Sequence, residues 1–331
     1  MPGPGKIRGE LALIEHIRQR SGAVESPLLR LGIGDDCAVL RPPRGSDVLV
    51  TTDFTLEGRH FRRDWHTPES AGHRTLARGL SDLAAMGAQP MAAFLSLAVP
   101  RSLAATAAGR KWLDRFFDGL LALAALHKVP LAGGDTSEAP TDHLLADITL
   151  LGTAPRGREL RRSGARAGDL LYVTGALGGA AAELQSLSQG KRPKKHGEHP
   201  QLFPIPRLVV GHALLKRRLA TACMDVSDGI STDLAHLCQA SGVGAVVFAD
   251  PLPLHPLAAE HGKEAALQLA LHGGEDYELL FTAKPSVTMP RRIAGVPVTP
   301  IGRITAAGPI LLERSDGSAE PLAPAGWEHL R

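Results

Sequence analysis

Short acidic motifs that also contain glycine or a hydroxyl residue recur along the chain. Glycine allows sharp turns and a close approach of the backbone to an anion, while carboxylate and hydroxyl oxygens are the hard ligands that Mg²⁺ prefers. Because each Mg²⁺ takes only one or two carboxylates beside water and phosphate oxygens, the scattered aspartates predict several ions and a polyphosphate. The motifs are Gly32-Ile33-Gly34-Asp35-Asp36, Thr51-Thr52-Asp53, Ser81-Asp82, Gly133-Gly134-Asp135-Thr136, Asp225-Val226-Ser227-Asp228-Gly229 and Gly273-Gly274-Glu275-Asp276.

Each motif taken alone also has a purely structural explanation. Aspartate beside glycine is common in turns, because its carboxylate bonds the nearby backbone and caps helices. Six such motifs, most of them after an apolar strand, are harder to explain in this way. In an open α/β sheet the carboxyl ends of the strands converge on one crevice, so we expect the motifs to lie where ligands bind.

Other phosphate-binding and catalytic motifs do not occur in the sequence. It contains no Gly-x-x-x-x-Gly-Lys-Ser/Thr P-loop, no His-Arg-Asp loop of a protein kinase and no Gly-x-Ser-x-Gly nucleophile elbow. The stretch Gly175-Ala176-Leu177-Gly178-Gly179 lacks the glycine spacing of a dinucleotide-binding fold. Asp53-Phe54-Thr55-Leu56 lacks the second acidic residue expected of an aspartyl-phosphate phosphatase.

The length and composition are those of a globular enzyme with two domains. The chain of 331 residues exceeds the about 100–150 residues that one core usually organises, and 44% of it is hydrophobic and 21% charged. The arginine- and glycine-rich loop Arg156–Gly168 is the candidate boundary, which predicts an N-terminal domain of residues 1–155 and a C-terminal domain of residues 156–331. Segment Gln189–Pro206 is the best candidate for a flexible insertion.

Strand-like and helix-like segments alternate throughout, which predicts an α/β fold. The clearest boundaries belong to one helix, for which Thr67 is a good N-cap, Pro68 suits the first position and Gly87 ends the pattern. The predicted strands are 47–53, 91–99, 169–174 and 243–248, with two more ending at Leu131 and Met224, and the predicted helices are 69–86, 102–127, 206–220 and 230–240, with another from about Leu177.

Charge and cysteine content bear on partners and compartment. The net charge is +3, aromatic residues make up 4%, and the one basic run, Lys191–His196, is typical of a solvated loop, so nucleic acid is not expected as a partner. The three cysteines, Cys37, Cys223 and Cys238, show no Cys-x-x-Cys spacing. No apolar run approaches the about 20 residues that span a bilayer, so we expect no membrane association and a cytoplasmic protein.

In order and spacing, the six motifs together resemble those of the bacterial thiamine-monophosphate kinase family over nearly the full length. The longer matching strings are Gly32–Ala38, Leu80–Ala88 and Gly273–Leu279. Related families such as aminoimidazole ribonucleotide synthetase share the PurM-like fold but not this set of strings. The resemblance implies two α/β domains of PurM-like architecture and a homodimer whose N-terminal domains form a shared sheet assembly. It also implies transfer of the ATP γ-phosphoryl group to thiamine monophosphate, making thiamine diphosphate.

The resemblance assigns roles to individual residues. It implies Mg²⁺ ligation by Asp36, Thr51, Thr52, Asp53, Asp82, Asp135, Asp225 and Asp228. It implies ATP contacts from Gly134, Asp135, Arg162 and Ser227, with Arg161 as the alternative to Arg162. It implies contacts to thiamine phosphate from His60, Glu275 and Trp327. Without the resemblance, these last three would be interpreted as a packed loop histidine, a turn cap and an anchor for the tail.

The implied acceptor is itself a phosphate monoester whose second pKa is about 6, so its oxygen is largely deprotonated at neutral pH and no protein general base is expected. Repulsion between two anions is the obstacle, which explains why aspartates that recruit cations dominate the motifs. Two alternatives remain open from the sequence. One is a sister enzyme acting on another acceptor, and the other is a dimeric maturation or scaffold protein that only binds ATP.

Overall fold

The computed structural model describes residues 10–22, 24, 26–193 and 197–327, so residues 194–196 of the basic run lie outside the described residues. The chain divides into two compact units. The first runs to Leu80 and resumes over Pro90–Pro155, and the second comprises Ser81–Gln89 and the chain from Arg156 onward. The division between Leu80 and Ser81 falls inside a helix, where nothing in the composition marks it.

The helices of the described residues are α1 (Glu10–Ser21), α2 (Pro68–Ala85), α3 (Arg101–Ala105), α4 (Ala107–His127), α5 (Gly179–Ser188), α6 (Leu208–Lys216), α7 (Ile230–Ser241), α8 (Pro256–Ala259) and α9 (Lys263–His272). The strands are β1 (Leu29–Leu31), β2 (Val39–Leu40), β3 (Ser46–Leu56), β4 (Gln89–Val99), β5 (Leu131–Glu138), β6 (Leu145–Pro155), β7 (Leu170–Thr174), β8 (Ala222–Val226), β9 (Gly244–Phe248), β10 (Glu278–Ala283), β11 (Arg292–Ile293), β12 (Val296–Thr305), β13 (Ile310–Glu313) and β14 (Ala319–Pro321).

The first unit is built on a four-stranded sheet in the order β3-β6-β4-β5. Strand β3 pairs antiparallel with β6 along its whole length, whereas β4 and β5 run parallel. Residues alternate between the two faces of β3, so that Val50 and Phe54 are exposed while Thr51 and Asp53 face α2. The core lies between this face and the helices, where Leu76, Leu80, Phe116, Phe117 and Leu120 are almost fully buried.

Helix α2 begins and ends where its sequence predicts. Thr67 Oγ1 accepts a hydrogen bond from the backbone N–H of Ser70 at 3.2 Å, which is the predicted N-cap, and Pro68 is the first helical residue. Gly87 follows the helix with φ +69°, a conformation that glycine adopts without strain. The predicted cap and stop are confirmed.

Three sequence predictions about the first unit are wrong. The helix predicted over 102–127 is interrupted at Thr106, whose backbone is extended and separates α3 from α4. The side chain of Thr106 caps α4 by accepting a hydrogen bond from the N–H of Gly109 at 2.9 Å. The turn predicted at Gly133–Thr136 lies inside β5, because these residues pair in parallel with β4. Likewise Thr51–Asp53 lies within β3 and does not end it.

The second unit is built on a larger sheet in the order β14-β13-β9-β12-β7-β10-β8, with β11 paired to β12. Its core packs apolar side chains of the central strands against α7 and α9. Leu171, Val173, Met224, Leu234 and Leu280 are at most 2% exposed in this core. The predicted helix over 206–220 is shorter in the structure, because Arg217 ends α6 and Arg218 takes a left-handed φ of +54°. The remaining predicted elements occur within two or three residues of their expected bounds.

The strand directions differ from those of an open parallel sheet. Of the strand pairs with a defined register, only β4 with β5 and β9 with β13 are parallel, and the others are antiparallel. The carboxyl ends of antiparallel neighbours lie at opposite edges, so the expected convergence of strand ends does not explain where the acidic motifs lie. Among the described residues, no helix combines the length and apolarity that crossing a bilayer requires.

Candidate functional site

The turn between β8 and α7 is organised around a buried carboxylate. Asp233 is 1% exposed, and its Oδ2 accepts hydrogen bonds from the backbone N–H groups of Ser227, Asp228 and Gly229 at 3.0–3.1 Å. Burial, and next the negative charges of Asp225 and Asp228, raise the pKa of the Asp233 carboxyl to about 8. The negative charges of Asp225 and Asp228 thus lie close to Asp233, and a cation bound to those two residues would offset them.

The Ser81-Asp82 motif lies against the same turn. Ser81 Oγ donates a hydrogen bond to Asp225 Oδ2 at 2.7 Å, and both residues are buried. Asp82, the next residue of α2, is half-buried. The second unit therefore brings together two motifs that are more than a hundred residues apart in the chain.

The Glu275 turn runs beside the Asp225–Gly229 turn, because β10 pairs antiparallel with β8. The backbone N–H of Glu275 donates to Ser227 O at 2.8 Å, and that of Tyr277 donates to Val226 O at 2.9 Å. Glu275 and Tyr277 both have positive φ, +69° and +50°, which is uncommon for residues other than glycine. Such strain is retained only where the surroundings fix the backbone, and it often marks a functional turn.

Asp276, between these two residues, has a structural role. It is buried, with 9% of its surface exposed, and its carboxylate accepts hydrogen bonds from Gly178 N at 2.6 Å and Ala180 N at 3.1 Å at the start of α5. Burial raises the pKa of Asp276 to about 7 despite these bonds. The acceptor at the glycine-rich start of α5 is therefore a side chain of the protein itself, and the backbone N–H groups of Gly178 and Ala180 are already engaged.

The C-terminal tail packs onto the same turn. The backbone N–H of Trp327 donates to Asp228 O at 3.1 Å, and that of Gly326 donates to Thr232 Oγ1 at 3.1 Å. A Cβ on Gly326 would overlap the carbonyl oxygen of Asp228, so only glycine permits this approach. The indole of Trp327 is 51% exposed and available for contact with a ligand.

In the first unit, β5 presents the Gly133–Thr136 motif at its exposed side. Gly134 has φ +148°, and a Cβ there would overlap the carbonyl oxygen of Leu95 on the neighbouring strand. Asp135 is exposed, and its Oδ1 accepts a hydrogen bond from the backbone N–H of Thr136 at 2.9 Å. This bond holds one carboxylate oxygen in place and leaves the other available for a ligand.

The β3 motif is divided between the two faces of the sheet. Asp53 lies 3.5 Å from the guanidinium of Arg78 on α2, measured from Oδ1 to Nη2. Thr51 is on the same face as Asp53. Thr52 points to the opposite face, where its hydroxyl donates to Asp147 Oδ1 at 2.7 Å. The structure therefore places Thr51 and Asp53 together but separates the Thr52 side chain from them.

Two further predicted residues of the first unit lie in loops. Asp36 is exposed, and its backbone N–H donates to the side chain of Asp35 at 2.9 Å. The Nδ1 atom of His60 accepts a hydrogen bond from the backbone N–H of Leu56 at 3.0 Å, and its carbonyl oxygen accepts one from Arg74 at 3.1 Å. The imidazole of His60 is thus held by the backbone with its Nε2–H as the remaining donor.

The structure distinguishes the two adjacent arginines of the Arg156–Gly168 loop. Arg161 forms an ion pair with Glu159. Within the described residues, the exposed Arg162 side chain makes no hydrogen bond or ion pair, and its carbonyl oxygen accepts a hydrogen bond from Ser241 at 3.0 Å. Arg162 is therefore the arginine whose charge is available to an anionic ligand.

The donor set suits magnesium bound with the help of phosphate. The candidate ligands are oxygen donors throughout, as Mg²⁺ prefers. In the part of the chain that the structure describes, no three His, Cys, Asp or Glu side chains surround a point where an ion would fit. This arrangement fits an ion that takes one or two carboxylates and completes its shell with water and phosphate oxygens.

Asp233 and Arg78 are the residues of these surroundings that the sequence did not single out. A signal for Asp233 was present, because an aspartate in the first turn of a helix commonly caps the backbone before it. That its bonds would reach Ser227 and Asp228 depends on the shape of the turn. Arg78 gave no such signal, since its approach to Asp53 follows from the packing of α2 on β3.

Comparison with known proteins places this fold and these turns in an established class. Residues 34–154 match the family described as AIR synthase related protein, N-terminal domain, and residues 166–309 match its C-terminal domain. A hydrogenase maturation protein HypE in complex with ATP aligns with a TM-score of 0.80 at 17% identity, which shows a shared fold alone. The class is thus that of two-domain PurM-like proteins, as the sequence predicted.

Closer relatives define the family within that class. The thiamine-monophosphate kinase of Salmonella typhimurium is 37% identical over 97% of this chain and 98% of its own length. The crystal structure of the enzyme of that name from Stenotrophomonas maltophilia K279a aligns at 38% identity with a TM-score of 0.80, covering 94% of this chain and 98% of the other. A structure described as AaThiL complexed with AMPPCP and TMP aligns at 30% identity with a TM-score of 0.74, over 99% and 100%. The chain belongs to the thiamine-monophosphate kinase family.

Proposed function

We propose that the chain transfers the γ-phosphoryl group of ATP to thiamine monophosphate, yielding thiamine diphosphate and ADP, the last step in making that cofactor. The observation that carries this proposal is the junction at the β8–α7 turn. There Asp233 fixes Ser227 and Asp228, and Ser81 bonds Asp225. The Glu275 turn and the Trp327 tail both bond to the backbone of the same turn. The names of the relatives and the AMPPCP and TMP bound to one of them support the same reaction.

The chemistry requires cations more than proton transfer. The accepting phosphate has a second pKa of about 6, so it attacks as an anion without a general base. Bound Mg²⁺ supplies neutralisation of the phosphate oxygens, and the residues of the chain bind, orient and align the two reactants for in-line transfer. We therefore assign no residue as a catalytic base.

The proposed Mg²⁺ ligands are aspartates and threonines of both units. Asp135 and Asp228 best fit the role, because each lies in a backbone-fixed motif. Thr52 contributes least through its hydroxyl, which bonds Asp147. The full proposed set is Asp36, Thr51, Thr52, Asp53 and Asp135 in the first unit and Asp82, Asp225 and Asp228 in the second.

The proposed ATP contacts combine close backbone approach with one free positive charge. Gly134 exposes the backbone of β5, and Asp135 follows it. In the second unit Ser227 lies in the turn that Asp233 holds, and Arg162 offers a guanidinium that is unpaired among the residues the structure describes. A guanidinium recognises phosphate oxygens through several fixed N–H groups.

The proposed contacts to thiamine monophosphate are His60, Glu275 and Trp327. The half-exposed indole of Trp327 offers a face to the cationic thiazolium or to the pyrimidine, an interaction worth about 1–2 kcal/mol. The carboxylate of Glu275 suits the amino group of the pyrimidine, and the Nε2–H of His60 suits a phosphate oxygen.

We also propose that the chain acts as a homodimer through the first unit. Strand β3 lies at the edge of its sheet and exposes Val48, Val50 and Phe54 by 44%, 64% and 55% on one face. An apolar edge strand of 11 residues favours association unless it is covered, and the family resemblance makes a second copy of the chain the occupant. The matched measurement is sedimentation velocity of the wild type and V50K, with a shift to monomer expected in the variant.

We extend the proposal to the roles of the two domains and to the cellular compartment. We propose that residues 1–155 carry dimerisation and part of the ATP and Mg²⁺ contacts, and that residues 156–331 form the second PurM-like domain. A reducing cytoplasm suits the cysteines, since Cys37, Cys223 and Cys238 are all free and Cys37 is exposed.

A direct assay tests the reaction. Purified protein is incubated with radiolabelled ATP, Mg²⁺ and a panel of phosphorylated acceptors, and labelled thiamine diphosphate is expected only with thiamine monophosphate and Mg²⁺. ATP turnover that needs neither would contradict the proposal. Nucleotide binding by calorimetry without any phosphorylated product would instead support the maturation or scaffold alternative.

A further inference from the structure

The second half of the predicted flexible insertion is held in place by one buried carboxylate. Glu183 of α5 is 6% exposed. Its Oε2 accepts the backbone N–H of Gln201 at 2.9 Å and that of Leu202 at 3.4 Å, while its Oε1 lies 2.7 Å from Nδ1 of His199. A turn bond from Phe203 N to His199 O at 2.7 Å closes the same segment. Residues 199–203 are therefore anchored to α5, contrary to the prediction of flexibility.

This anchoring directs one side chain to a predicted substrate residue. Gln201 is 1% exposed, and its Nε2 donates a hydrogen bond to Glu275 Oε2 at 3.0 Å. The backbone of Glu275 is fixed independently by its bond to Ser227 O and by its left-handed φ of +69°. Both the main chain and the side chain of Glu275 are thus constrained by neighbours.

Helix α5 supports both constraints. Its N-terminus is bonded to Asp276, the residue after Glu275, and Glu183 lies about one turn further along the same helix. Asp276 therefore fixes the turn that carries Glu275, and Glu183 fixes the segment that carries Gln201. The two partners of the 3.0 Å bond are held at a set separation by one rigid element.

We propose that Gln201 is a positioning residue that orients the Glu275 carboxylate toward the amino group of an aminopyrimidine substrate. The amide N–H of Gln201 takes one of the about four acceptor positions of the Glu275 carboxylate, so the carboxylate can accept a further hydrogen bond from the substrate. The bond also limits the rotamers of Glu275 before binding, which reduces the ordering cost of binding. The inference rests on the proposed function, because it takes Glu275 as a contact to thiamine monophosphate.

The isosteric substitution Q201E is the sharpest test. It replaces the amide donor by an oxygen beside Oε2 of Glu275 and changes neither the shape nor the number of heavy atoms. We expect the KM for thiamine monophosphate to rise about tenfold or more, as is typical when a hydrogen bond to a charged group is lost, with the KM for ATP unchanged. If Q201E does not fold, Q201M removes the donor without adding charge and is measured instead. The control Q185E makes the same change at an exposed glutamine of α5 and should leave both KM values unchanged.

The double variant Q201E with E275Q separates positioning from simple stabilisation. It restores an amide-to-carboxylate bond but moves the carboxylate to residue 201, so we expect the melting temperature to recover and the KM for thiamine monophosphate to stay high. Recovery of both would show that the bond only stabilises the fold and would overturn the inference. An unchanged KM for thiamine monophosphate in Q201E would also overturn the inference. In that case, turnover by the wild type in the same assay would still support the proposed reaction. Absence of turnover in the wild type would instead contradict the proposed function itself.

Discussion

The acidic motifs of the two units are built in different ways. In the first unit, Asp36 and Asp135 are exposed, and the motifs that contain them are fixed mainly by local bonds to neighbouring residues. In the second unit, Asp225 is 4% exposed and bonds Ser81, and the turn that follows is held by Asp233. Asp36 and Asp135 of the first unit thus keep their carboxylate oxygens exposed to solvent and ligand, whereas the β8–α7 turn of the second unit fixes its ligands before anything binds.

Because of this difference, a residue can contribute to ligand binding without contributing to the free energy of unfolding. An exposed carboxylate with only local bonds contributes little to the free energy of unfolding, because its removal exposes no buried partner. A buried acceptor that satisfies several backbone N–H groups contributes to both properties. Substitutions in the first unit should therefore change activity alone, and those in the second should change activity and stability together.

The largest effect is expected for D135A. Loss of a Mg²⁺ and ATP ligand should reduce kcat by about a thousandfold or more, since neutralisation of phosphate charge is the main catalytic requirement. The free energy of unfolding should change by less than about 0.5 kcal/mol, because Asp135 is exposed. Turnover with saturating Mg²⁺ and urea denaturation followed by circular dichroism measure the two quantities.

The matched control for D135A is D64A, which removes another exposed carboxylate of the first unit, one that forms an ion pair with Arg62. It should leave turnover unchanged. Retained activity in D135A, or a loss of stability comparable to its loss of activity, would remove the distinction between the two units.

Much of the fold could be predicted from local signals, and the misses have physical causes. Thr67 and Gly87 marked helix α2 because capping and positive φ are properties of a few neighbouring residues. The extension of β5 through Gly133–Thr136 was missed because it depends on pairing with β4, which is distant in sequence. The motif glycines and aspartates could be recognised one by one. The hydrogen bonds that hold these motifs in place depend on tertiary packing that no local pattern encodes. They involve Ser81, Gln201 and Asp233.

The second prediction concerns Asp233, the buried carboxyl group that holds the β8–α7 turn of the second unit. D233A removes the acceptor of three backbone N–H groups, so the free energy of unfolding should fall by about 2 kcal/mol and turnover should fall with it. D233N keeps an oxygen acceptor at the same place and should be far less affected in both respects. Equal loss of stability in D233A and D233N would show that charge, and not hydrogen bonding to the turn, is what matters.

The third prediction tests whether the effect of a substitution on stability depends on the burial and hydrogen bonding of the residue or on the unit to which it belongs. Arg162 belongs to the second unit but is exposed and unpaired within the described residues, like the carboxylates of the first. R162A should raise the KM for ATP about tenfold, through loss of a charged hydrogen bond to phosphate, and leave the melting temperature unchanged. R161A should affect ATP binding less, because Arg161 is paired with Glu159. A larger effect in R161A would reassign the ATP contact to that residue.

The smallest expected change, taken per pH unit, is a dependence of the free energy of unfolding on pH that originates in Asp233. The pKa of Asp233 is raised to about 8 in the folded chain, mainly by burial, whereas an unfolded aspartate titrates near about 3.9. Between these values the folded state holds a proton that the unfolded state releases, so this group lowers the free energy of unfolding as pH rises from about 4 to about 8. The slope is at most about 1.4 kcal/mol per pH unit.

D233N removes this titration, so in Mg²⁺-free buffer its stability relative to the wild type should increase steadily between about pH 5 and pH 8. Urea denaturation at several pH values measures the difference. Excess Mg²⁺ should flatten the wild-type curve, because a cation held by Asp225 and Asp228 opposes the two charges that contribute to the raised pKa. Parallel curves for D233N and the wild type, with or without Mg²⁺, would mean that Asp233 stays ionised, and the second unit would then hold its ligands by charge as well as by shape.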